Sequence, residues 1–386
     1  MINKIDGKLL NIVKSMASEK KDVECLVYAN NYLFAKRYLK NLCGEILELP
    51  FIHAFAVKTD FNKILHISNL TQISFVASIS KVFAQMDTTR KVLNIDDAQK
   101  FLLGEGVTVA IIDTGISENL DFFAFKKRIV AFKDFVNNRK VPYDDNGHGT
   151  FVAGVLAGNG FMSGKKYSGV APKANIVMVK ALDNNGETGA VNILNAMQWI
   201  YENRQKYNIK VVCMSFGSEP LETGDPLMLG AEALWDAGIV VVAAAGNSGP
   251  EARTIKSPGV SGKIITVGAL DDGRNNGKID ESKFKIATFS RRGPVYNFIK
   301  PDCIACGVDI VSLSNNRAEK TDLYTTMSGT SVSTPIVAGA VVLLVEKYPN
   351  LSPIQIKNKI LSSCELKNLD SNYAGFGVID FSKLIN

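Results

Sequence analysis

Five apolar segments rich in β-branched residues limit most strongly how this chain can fold. Each contains about four to eight apolar residues, and helical segments separate them. They are GVTVAIID (106–113), ANIVMVKAL (174–182), KVVCMSFG (210–217), GIVVVAAAGN (238–247) and KIITVGAL (263–270). Such segments are typical of strands buried on both faces. They predict an α/β domain with a doubly wound, mostly parallel sheet, in which ligands bind beyond the carboxyl ends of the strands.

The N-terminal part of the chain has a different pattern. Its predicted order is strand, helix, strand, strand, helix, strand. The predicted elements are Val23–Tyr28, Asn31–Leu42, Ile46–Leu49, His53–Val57, Phe61–Ser68 and Gln72–Ile79. This βαββαβ order predicts a small α+β domain with a ferredoxin-like arrangement. We therefore divide the chain into an N-terminal extension (1–21), a small domain (22–85) and a large domain (86–386), which begins with a polar connector, MDTTRKVLNIDD.

Composition excludes several classes of protein. With 386 residues, 46% of them hydrophobic, the chain can bury one large core and a smaller one. The net charge is +6, but no dense basic segment predicts a nucleic-acid partner. The N-terminus lacks the apolar core of a signal peptide, and no segment offers the roughly 18 uninterrupted apolar residues of a membrane span. We expect a cytoplasmic protein, with association with spores as the alternative.

The six cysteines are scattered along the chain, as expected for reduced thiols in a cytosolic protein. Cys303 and Cys306 form a CxxC pair, but neither a second pair nor a nearby histidine completes a set of metal ligands. We interpret the pair as ordinary small residues, with metal or redox work as the minor alternative. The sequence predicts no metal and no cofactor.

Three polar residues follow or interrupt apolar segments of the large domain. Asp113 ends the first buried strand, where an unpaired charge is costly, so the carboxylate needs a hydrogen-bonding partner. His148 lies between glycines at a helix start, and it is the only histidine of the large domain. Ser331 begins the buried helix in MSGTSVSTPIVAGAV (327–341), where free N–H groups favour negative charge. An aspartate, a histidine base and a serine can perform nucleophilic catalysis.

These residues lie in motifs that resemble the subtilisin-like serine proteases. VAIIDTGI, NGHGTFVAGVLAG, AAAGNSGP and GTSVSTPIVAGA are similar to the family's aspartate, histidine, oxyanion-hole and serine motifs, in the family's order. The resemblance covers about 91–361. It implies that Ser331 is the nucleophile, that His148 is the general base and then acid, and that Asp113 orients the imidazole. The related sedolisins have a carboxylate in place of the histidine, so that family is disfavoured.

The resemblance also implies the residues that bind substrate and oxyanion. The side chain of Asn247 and the main-chain N–H of Ser331 would form the oxyanion hole. Ser215, Phe216 and Gly217 match the segment that pairs with the substrate main chain, and Gly189 matches the opposite side of the cleft. A cis peptide bond is expected at Ser257-Pro258.

Lys256 is a departure from the family pattern. Many relatives have glycine or alanine at this position, at the base of the primary specificity pocket. A lysine that points inward would favour an acidic or amide side chain before the scissile bond. The alternative is a lysine that extends to solvent at the rim of the pocket.

By the same resemblance, the small domain is a propeptide that assists folding and inhibits the enzyme through its C-terminal tail. That tail is SKVFAQM (80–86), so Gln85 would enter the specificity pocket and Met86 would begin the mature chain. Cleavage after Met86 and a permanently attached accessory domain are the alternatives. The implied partners are therefore protein or peptide substrates and the chain's own propeptide.

Two other functions and one metal site are alternatives to this interpretation. A catalytically silent binding protein would be expected to lack at least one of four residues, and all four are present: Asp113, His148, Asn247 and Ser331. A transacylase, in which an amine replaces water, uses the same motifs. Many secreted relatives have a calcium loop after the histidine helix, but here GNGFMSGKKYSG has no carboxylate and two lysines, so we predict no calcium there.

Overall fold

The computed structural model describes residues 4, 5, 9, 22–50, 53–78, 86–274, 279–315 and 323–384. The chain divides into two compact units, Met1–Phe83 and Ala84–Asn386. The division lies two residues before the predicted start of the large domain at Met86. Gln85 and most of the predicted tail (80–86) lie outside the described residues.

Among its described residues, the first unit contains a four-stranded antiparallel sheet and the helices α1 (Tyr32–Cys43) and α2 (Phe61–Ser68). In chain order, its elements are β1 (Val23–Ala29), α1, β2 (Ile46–Leu49), β3 (Ala54–Thr59), α2 and β4 (Ile73–Ser78). The strand order is β2-β3-β1-β4, with each pair antiparallel. This confirms the predicted βαββαβ unit, and each element ends within two residues of the predicted position.

The core of this unit is formed by one face of the sheet and the two helices, and it includes Val27, Leu39, Phe55 and Ile64. Ile5 and Leu9, which belong to the predicted extension, are also buried in this core. Amphipathic helices close one face of a small sheet because that face must leave water.

The second unit is built on a large, mostly parallel sheet. The strands of that sheet are β5 (Thr108–Asp113), β6 (Ile129–Asp134), β7 (Asn175–Lys180), β8 (Ile209–Met214), β9 (Val240–Ala244), β10 (Ile265–Asp271), β11 (Lys285–Ile286), β12 (Cys303–Cys306), β15 (Cys364–Glu365) and β16 (Val378–Ile379). A separate antiparallel pair is formed by β13 (Ile310–Leu313) and β14 (Tyr324–Met327). The helices of the second unit are α3 (Met86–Val92), α4 (Ile95–Gln99), α5 (Leu120–Phe123), α6 (His148–Ala157), α7 (Ala190–Asn203), α8 (Pro226–Asp236), α9 (Thr330–Lys347), α10 (Pro353–Ser362), α11 (Ser371–Ala374) and α12 (Phe381–Leu384).

The order of the strands positions the candidate site. It runs β15-β16-β12-β10-β9-β8-β5-β7-β6, and β11 pairs with β10. Neighbours from β12 to β6 are parallel, which confirms the predicted doubly wound sheet. The chain moves to β7 on one side of β5 and to β8 on the other, so the strand order reverses at β5. Ligands bind at such a switch point, and Asp113 is the last residue of β5.

The predicted polar connector is in fact helical, so that interpretation was wrong. It forms α3 and α4, joined at Asn94, which has a left-handed conformation (φ 58°). Leu93, Ile95 and Ala98 are buried in the core of the large unit. The buried apolar residues at the junction of α3 and α4 do not follow a helical period in the sequence. Their burial in the core, and not their spacing, therefore stabilises the two helices.

Helix α9 passes through the core and is buried along nearly its whole length. A Cβ atom on Gly339 would lie 2.5 Å from the Cβ of Val170, so a glycine is required for this close packing. Within the described residues, α9 is also the one helix long and apolar enough to cross a membrane. However, 83% of it is buried inside the protein, as is typical of a core helix.

Candidate active site

Asp113 and His148 form a hydrogen-bonded pair at the carboxyl end of β5. The Nδ1 atom of His148 lies 2.8 Å from Oδ1 of Asp113, and the main-chain N–H of Thr114 donates to the same oxygen at 2.7 Å. The Asp113 side chain is 1% exposed, whereas that of His148 is 26% exposed. The other oxygen, Oδ2, is buried and has no hydrogen-bond partner among the described residues. The carboxylate therefore orients the ring, and the ring keeps access to solvent.

A second aspartate, Asp144, fixes the loop before His148. Its Oδ1 accepts hydrogen bonds from the Oγ1 of Thr114 and from the N–H groups of Asn146 and Gly147. Its Oδ2 accepts from the N–H and hydroxyl of Thr150. Asp144 thus joins the end of β5 to the start of α6. Sequence analysis missed this role, although an aspartate ahead of NGHG is a signal for an Asx turn.

The pair has a defined protonation behaviour. Burial lowers the pKa of His148, but the charge and hydrogen bond of Asp113, with a smaller contribution from Asp144, outweigh it and raise the pKa above its ordinary 6.5. A neutral imidazole with Nδ1–H toward Asp113 leaves Nε2 free to accept a proton. Base catalysis should therefore be lost as the pH falls through this raised pKa.

Ser331 and Asn247 face one small space. Ser331 is the second residue of α9, so its main-chain N–H lies among those that have no acceptor within the helix. The Cβ position that Gly329 lacks lies 3.0 Å from the Oγ of Ser331 and 3.1 Å from the Nδ2 of Asn247. Gly329 therefore leaves room for a negatively charged oxygen between the hydroxyl and the amide.

Thr330 sets the orientation of Asn247. Its N–H and its hydroxyl each lie 2.8 Å from Oδ1 of Asn247, and both donate to it. The amide is thereby turned so that Nδ2 points toward Ser331, the geometry that an oxyanion hole needs. Sequence analysis missed Thr330, which sits inside the GTS motif.

Two of the predicted substrate-binding residues, Phe216 and Gly217, line a cleft, whereas Ser215 is buried and Gly189 is not one of the lining residues. Ser215, Phe216 and Gly217 directly follow β8. Phe216 and Gly217 lie across a cavity of about 370 Å³ from the segment 186–190, which contains Gly189 in extended conformation at the start of α7. Ser218 pairs with Ser257, N–H to carbonyl in both directions, at 3.0 and 2.9 Å. The predicted cis bond at Ser257-Pro258 is confirmed.

Lys256 lies beneath the walls of this cleft. A Cβ atom on Gly217 or on Gly246 would come within 2.6 Å of its side-chain stem, so Lys256 lies between the two glycines. Its side chain is 15% exposed, and its ammonium group pairs with Glu219, which is 68% exposed. Arg291 contacts the same carboxylate at 3.2 Å. Sequence analysis missed Glu219 and Arg291, because nothing local connects them to residue 256.

A buried lysine, Lys180, joins three segments around the pair. Its Nζ donates to the carbonyls of Thr114 (2.6 Å) and Leu182 (2.9 Å) and to the carboxylate of Asp145 (2.7 Å). Its side chain is fully buried. The signal for this contact was a lysine that interrupts the apolar residues 176–182.

The remaining candidates lie elsewhere. Met86 is the first residue of α3, and Gln85 is outside the described residues. Cys303 and Cys306 both lie in β12, three positions apart, so their side chains point to opposite faces and cannot share a metal ion. Among the described residues, no group of three or more His, Cys, Asp or Glu side chains could bind a metal.

Comparison with known proteins agrees with this geometry. Residues 104–377 match the model of the subtilase family, Peptidase_S8. Serine protease AprX of Bacillus subtilis (strain 168) is 38% identical over 373 residues, covering 88% of this chain and 83% of that protein. Subtilisin DY of Bacillus licheniformis is 34% identical over 279 residues, covering 72% and 90%.

Solved structures give the same result. Sphericase superimposes with a TM-score of 0.63 at 26% identity, covering 76% of this chain and 97% of that one. The S41 psychrophilic protease superimposes with a TM-score of 0.64 at 26% identity and equal coverage. The family model, the relatives and the structures agree, and the chain belongs to the subtilase family of subtilisin-like serine proteases.

Proposed function

We propose that this chain hydrolyses peptide bonds through an acyl-enzyme at Ser331 and is made as a self-processed zymogen. The observation that carries the proposal is the 2.8 Å contact between His148 and Asp113, together with the shared space in front of Ser331 and Asn247. These are the groups that acyl transfer requires, namely a base with a fixed tautomer, a nucleophile and an oxyanion hole.

The reaction proceeds in two halves. The Oγ of Ser331 attacks the scissile carbonyl carbon while its proton moves to Nε2 of His148. The N–H of Ser331 and the Nδ2 of Asn247 donate to the resulting oxyanion. The C–N bond then breaks, and His148 gives its proton to the leaving amine. Water repeats the sequence on the ester, which returns the proton to Ser331 and releases the acid product. An amine in place of water would make the chain a transacylase.

The small unit is proposed to be the propeptide, cleaved after Gln85. Two findings support this: the unit has its own βαββαβ fold and core, and the match to AprX covers more of the chain than the large unit contains. The mature enzyme would then begin at α3, whose last residue, Val92, packs against the core of the large unit.

Intact mass of the wild-type protein and of Ser331→Ala tests the proposal. We expect the wild type to lose about 85 N-terminal residues and the variant to stay full length. An active-site serine phosphonate should label the processed wild type only. Full-length protein in both samples would refute self-processing, and processed protein that does not react with the phosphonate would refute catalysis at Ser331. A product mass increased by an added amine would identify a transacylase.

We further propose that Lys256 favours Gln or Glu before the scissile bond. The side-chain stem of Lys256 lies between Gly217 and Gly246. Its ammonium group already pairs with Glu219, which would compete with an acidic substrate side chain. Lys256→Gly should shift cleavage toward large apolar residues, whereas Glu219→Gln should increase kcat/KM for Glu substrates. An unchanged cleavage profile in both variants would count against this role.

A reducing compartment, most simply the cytoplasm, is proposed as the location. All six cysteines are free thiols, and four of them are buried. Antibody localisation in fractionated cells tests this, and recovery from the culture medium would overturn it.

A further inference from the structure

A second cavity of about 740 Å³ lies in the large unit and contains none of the active-site residues. It is formed by the segment after α5, the loop after α6 and the segment before β7. A volume of this size is in the range of ligand pockets, ~300 to 1,000 Å³. We call it the basic aromatic pocket and define it by Phe125, Phe161, Lys126, Lys165 and Arg128.

Two phenylalanine rings stand at this pocket. Phe125 is 94% exposed and Phe161 is 47% exposed, and their ring centroids are 5.5 Å apart in an edge-to-face arrangement. Exposed aromatic pairs at the edge of a cavity are typical of surfaces that bind a partner. Nothing in the core of the enzyme requires either ring to be aromatic, because each leaves so much of its surface in water.

The backbone at the pocket is also unusual. Phe125 (φ 71°) and Lys165 (φ 73°) are both left-handed, a conformation that favours glycine. A bulky residue at such a position carries backbone strain, which proteins retain where it serves function. A glycine at either position would relieve the strain and remove the side chain that the pocket presents.

The charge of the pocket is positive. Lys126, Lys165, Lys173 and Arg128 line it, against one carboxylate, Glu105, which pairs with Lys173 at 2.9 Å. Lys126 and Lys165 make no ion pair with any described residue. Their charges are therefore available to an acidic partner.

Arg128 adds a buried charge beneath this surface. It is 3% exposed, and its guanidinium donates to the main-chain carbonyls of Ala157, Ala174 and Asp121. Burial lowers its pKa to about 10, so it is still positively charged at neutral pH. The buried carboxylate of Asp121 acts on this charge and offsets part of it, so an anion bound above Arg128 would meet a positive charge that is only partly balanced.

We propose that the basic aromatic pocket binds an acidic peptide segment that carries a large apolar side chain, as a docking site of this chain for protein substrates. The two rings and the concave apolar wall would take the apolar side chain, while Lys126 and Lys165 would pair with the flanking carboxylates. A single apolar side chain of a peptide can enter this cavity, whereas the surface of a membrane cannot, so the shape of the site favours a peptide. This site is separate from the acyl-transfer site, and its occupancy needs no catalysis.

Fluorescence anisotropy of a labelled peptide, Glu-Asp-Trp-Leu-Glu-Asp, on full-length Ser331→Ala protein tests the proposal. We expect saturable binding that weakens as salt increases and that is lost for the peptide Glu-Asp-Ser-Ser-Glu-Asp. Adding Phe125→Gly should weaken binding at least tenfold without lowering Tm, because glycine relieves the left-handed strain. Adding Lys126→Glu with Lys165→Glu should weaken it by a similar factor.

The control variant carries Tyr201→Ser with Lys206→Glu, an exposed aromatic residue and an exposed lysine on and after α7. It should bind the peptide as tightly as the parent. Equal affinity in the parent and in both pocket variants would overturn the proposal. Binding to vesicles of anionic lipid without binding to the peptide would also overturn it, in favour of a membrane surface. Both results are independent of whether Ser331 is catalytic.

Discussion

Two groups of buried charges in the large unit differ in how many of their hydrogen-bonding positions are filled. In the first, Lys300 and Lys357 contact opposite oxygens of Asp302 at 2.6 and 2.8 Å. Lys300 also donates to the carbonyl of Ile264 and the hydroxyl of Thr266, so its three N–H groups all have acceptors. Lys357 donates to the carbonyls of residues 262, 263 and 264.

The second group is the pair of Asp113 and His148. Here one carboxylate oxygen has no partner among the described residues, and the side chain of His148 is 26% exposed. A buried charge with unused positions is costly, so it persists where reaction chemistry uses it. The comparison shows that burial and charge do not by themselves indicate a site. Between these two groups, the unfilled carboxylate oxygen and the partly exposed ring distinguish the candidate catalytic pair from the fully bonded one.

The largest expected effect is a loss of catalytic activity when the pair of Asp113 and His148 is changed. Asp113→Asn should lower kcat about 10⁴-fold, because an asparagine stabilises the wrong tautomer of His148 and no longer stabilises the imidazolium. Thermal unfolding should change by only a few degrees. Asp121→Asn is a matched control, because Asp121 is another buried aspartate of this unit. A loss of less than tenfold for Asp113→Asn would contradict the assigned role.

The next effect falls on stability. Asp302→Ala should lower the free energy of unfolding by about 3 to 5 kcal/mol, because it leaves two buried ammonium groups without a counterion. Asp236→Ala removes an exposed partner of Lys263 and should cost no more than about 1 kcal/mol. Urea unfolding measures both. If the Asp302→Ala variant folds with wild-type stability, the ion pairs of Asp302 with Lys300 and Lys357 do not stabilise the large unit.

A smaller loss of activity is expected at the oxyanion hole. Asn247→Ala should lower kcat about 100 to 1000-fold with little change in KM, the range established for subtilisin's own donor. Thr330→Val keeps one of the two donors to Oδ1 of Asn247 and should lose less activity. If the loss for Asn247→Ala appeared in KM alone, the amide would bind ground-state substrate and not the transition state.

The smallest effect is a change in pH dependence. Burial lowers the pKa of Lys300 to about 8, an effect that Asp302 only partly offsets. The unfolded chain, with an ordinary pKa of 10.5, then binds more protons between about pH 8 and 10.5, so this residue makes stability increase with pH there. Lys300→Met should flatten that increase. Unfolding free energies at pH 7, 9 and 10 test this, and an unchanged slope would contradict it.

Most of the fold and the candidate catalytic residues could be predicted from the sequence. Strands buried on both faces leave a continuous apolar pattern, and Asp113, His148 and Ser331 each break such a pattern at the end or start of an element. The connector 86–97 could not be predicted, because its helices are stabilised by burial of Leu93 and Ile95 and not by their own periodicity.

By itself, the sequence determined the order of the elements, the four motifs and the chemistry that their residue types allow. Only the tertiary structure decided which polar groups meet across long separations: Asp144 with Thr114, Thr330 with Asn247, and Glu219 with both Lys256 and Arg291. Periodicity records which face of an element is buried, because burial acts on each segment separately. Hydrogen bonds and charge pairs depend on distances between segments, and those distances exist only once the sheet and its helices have packed.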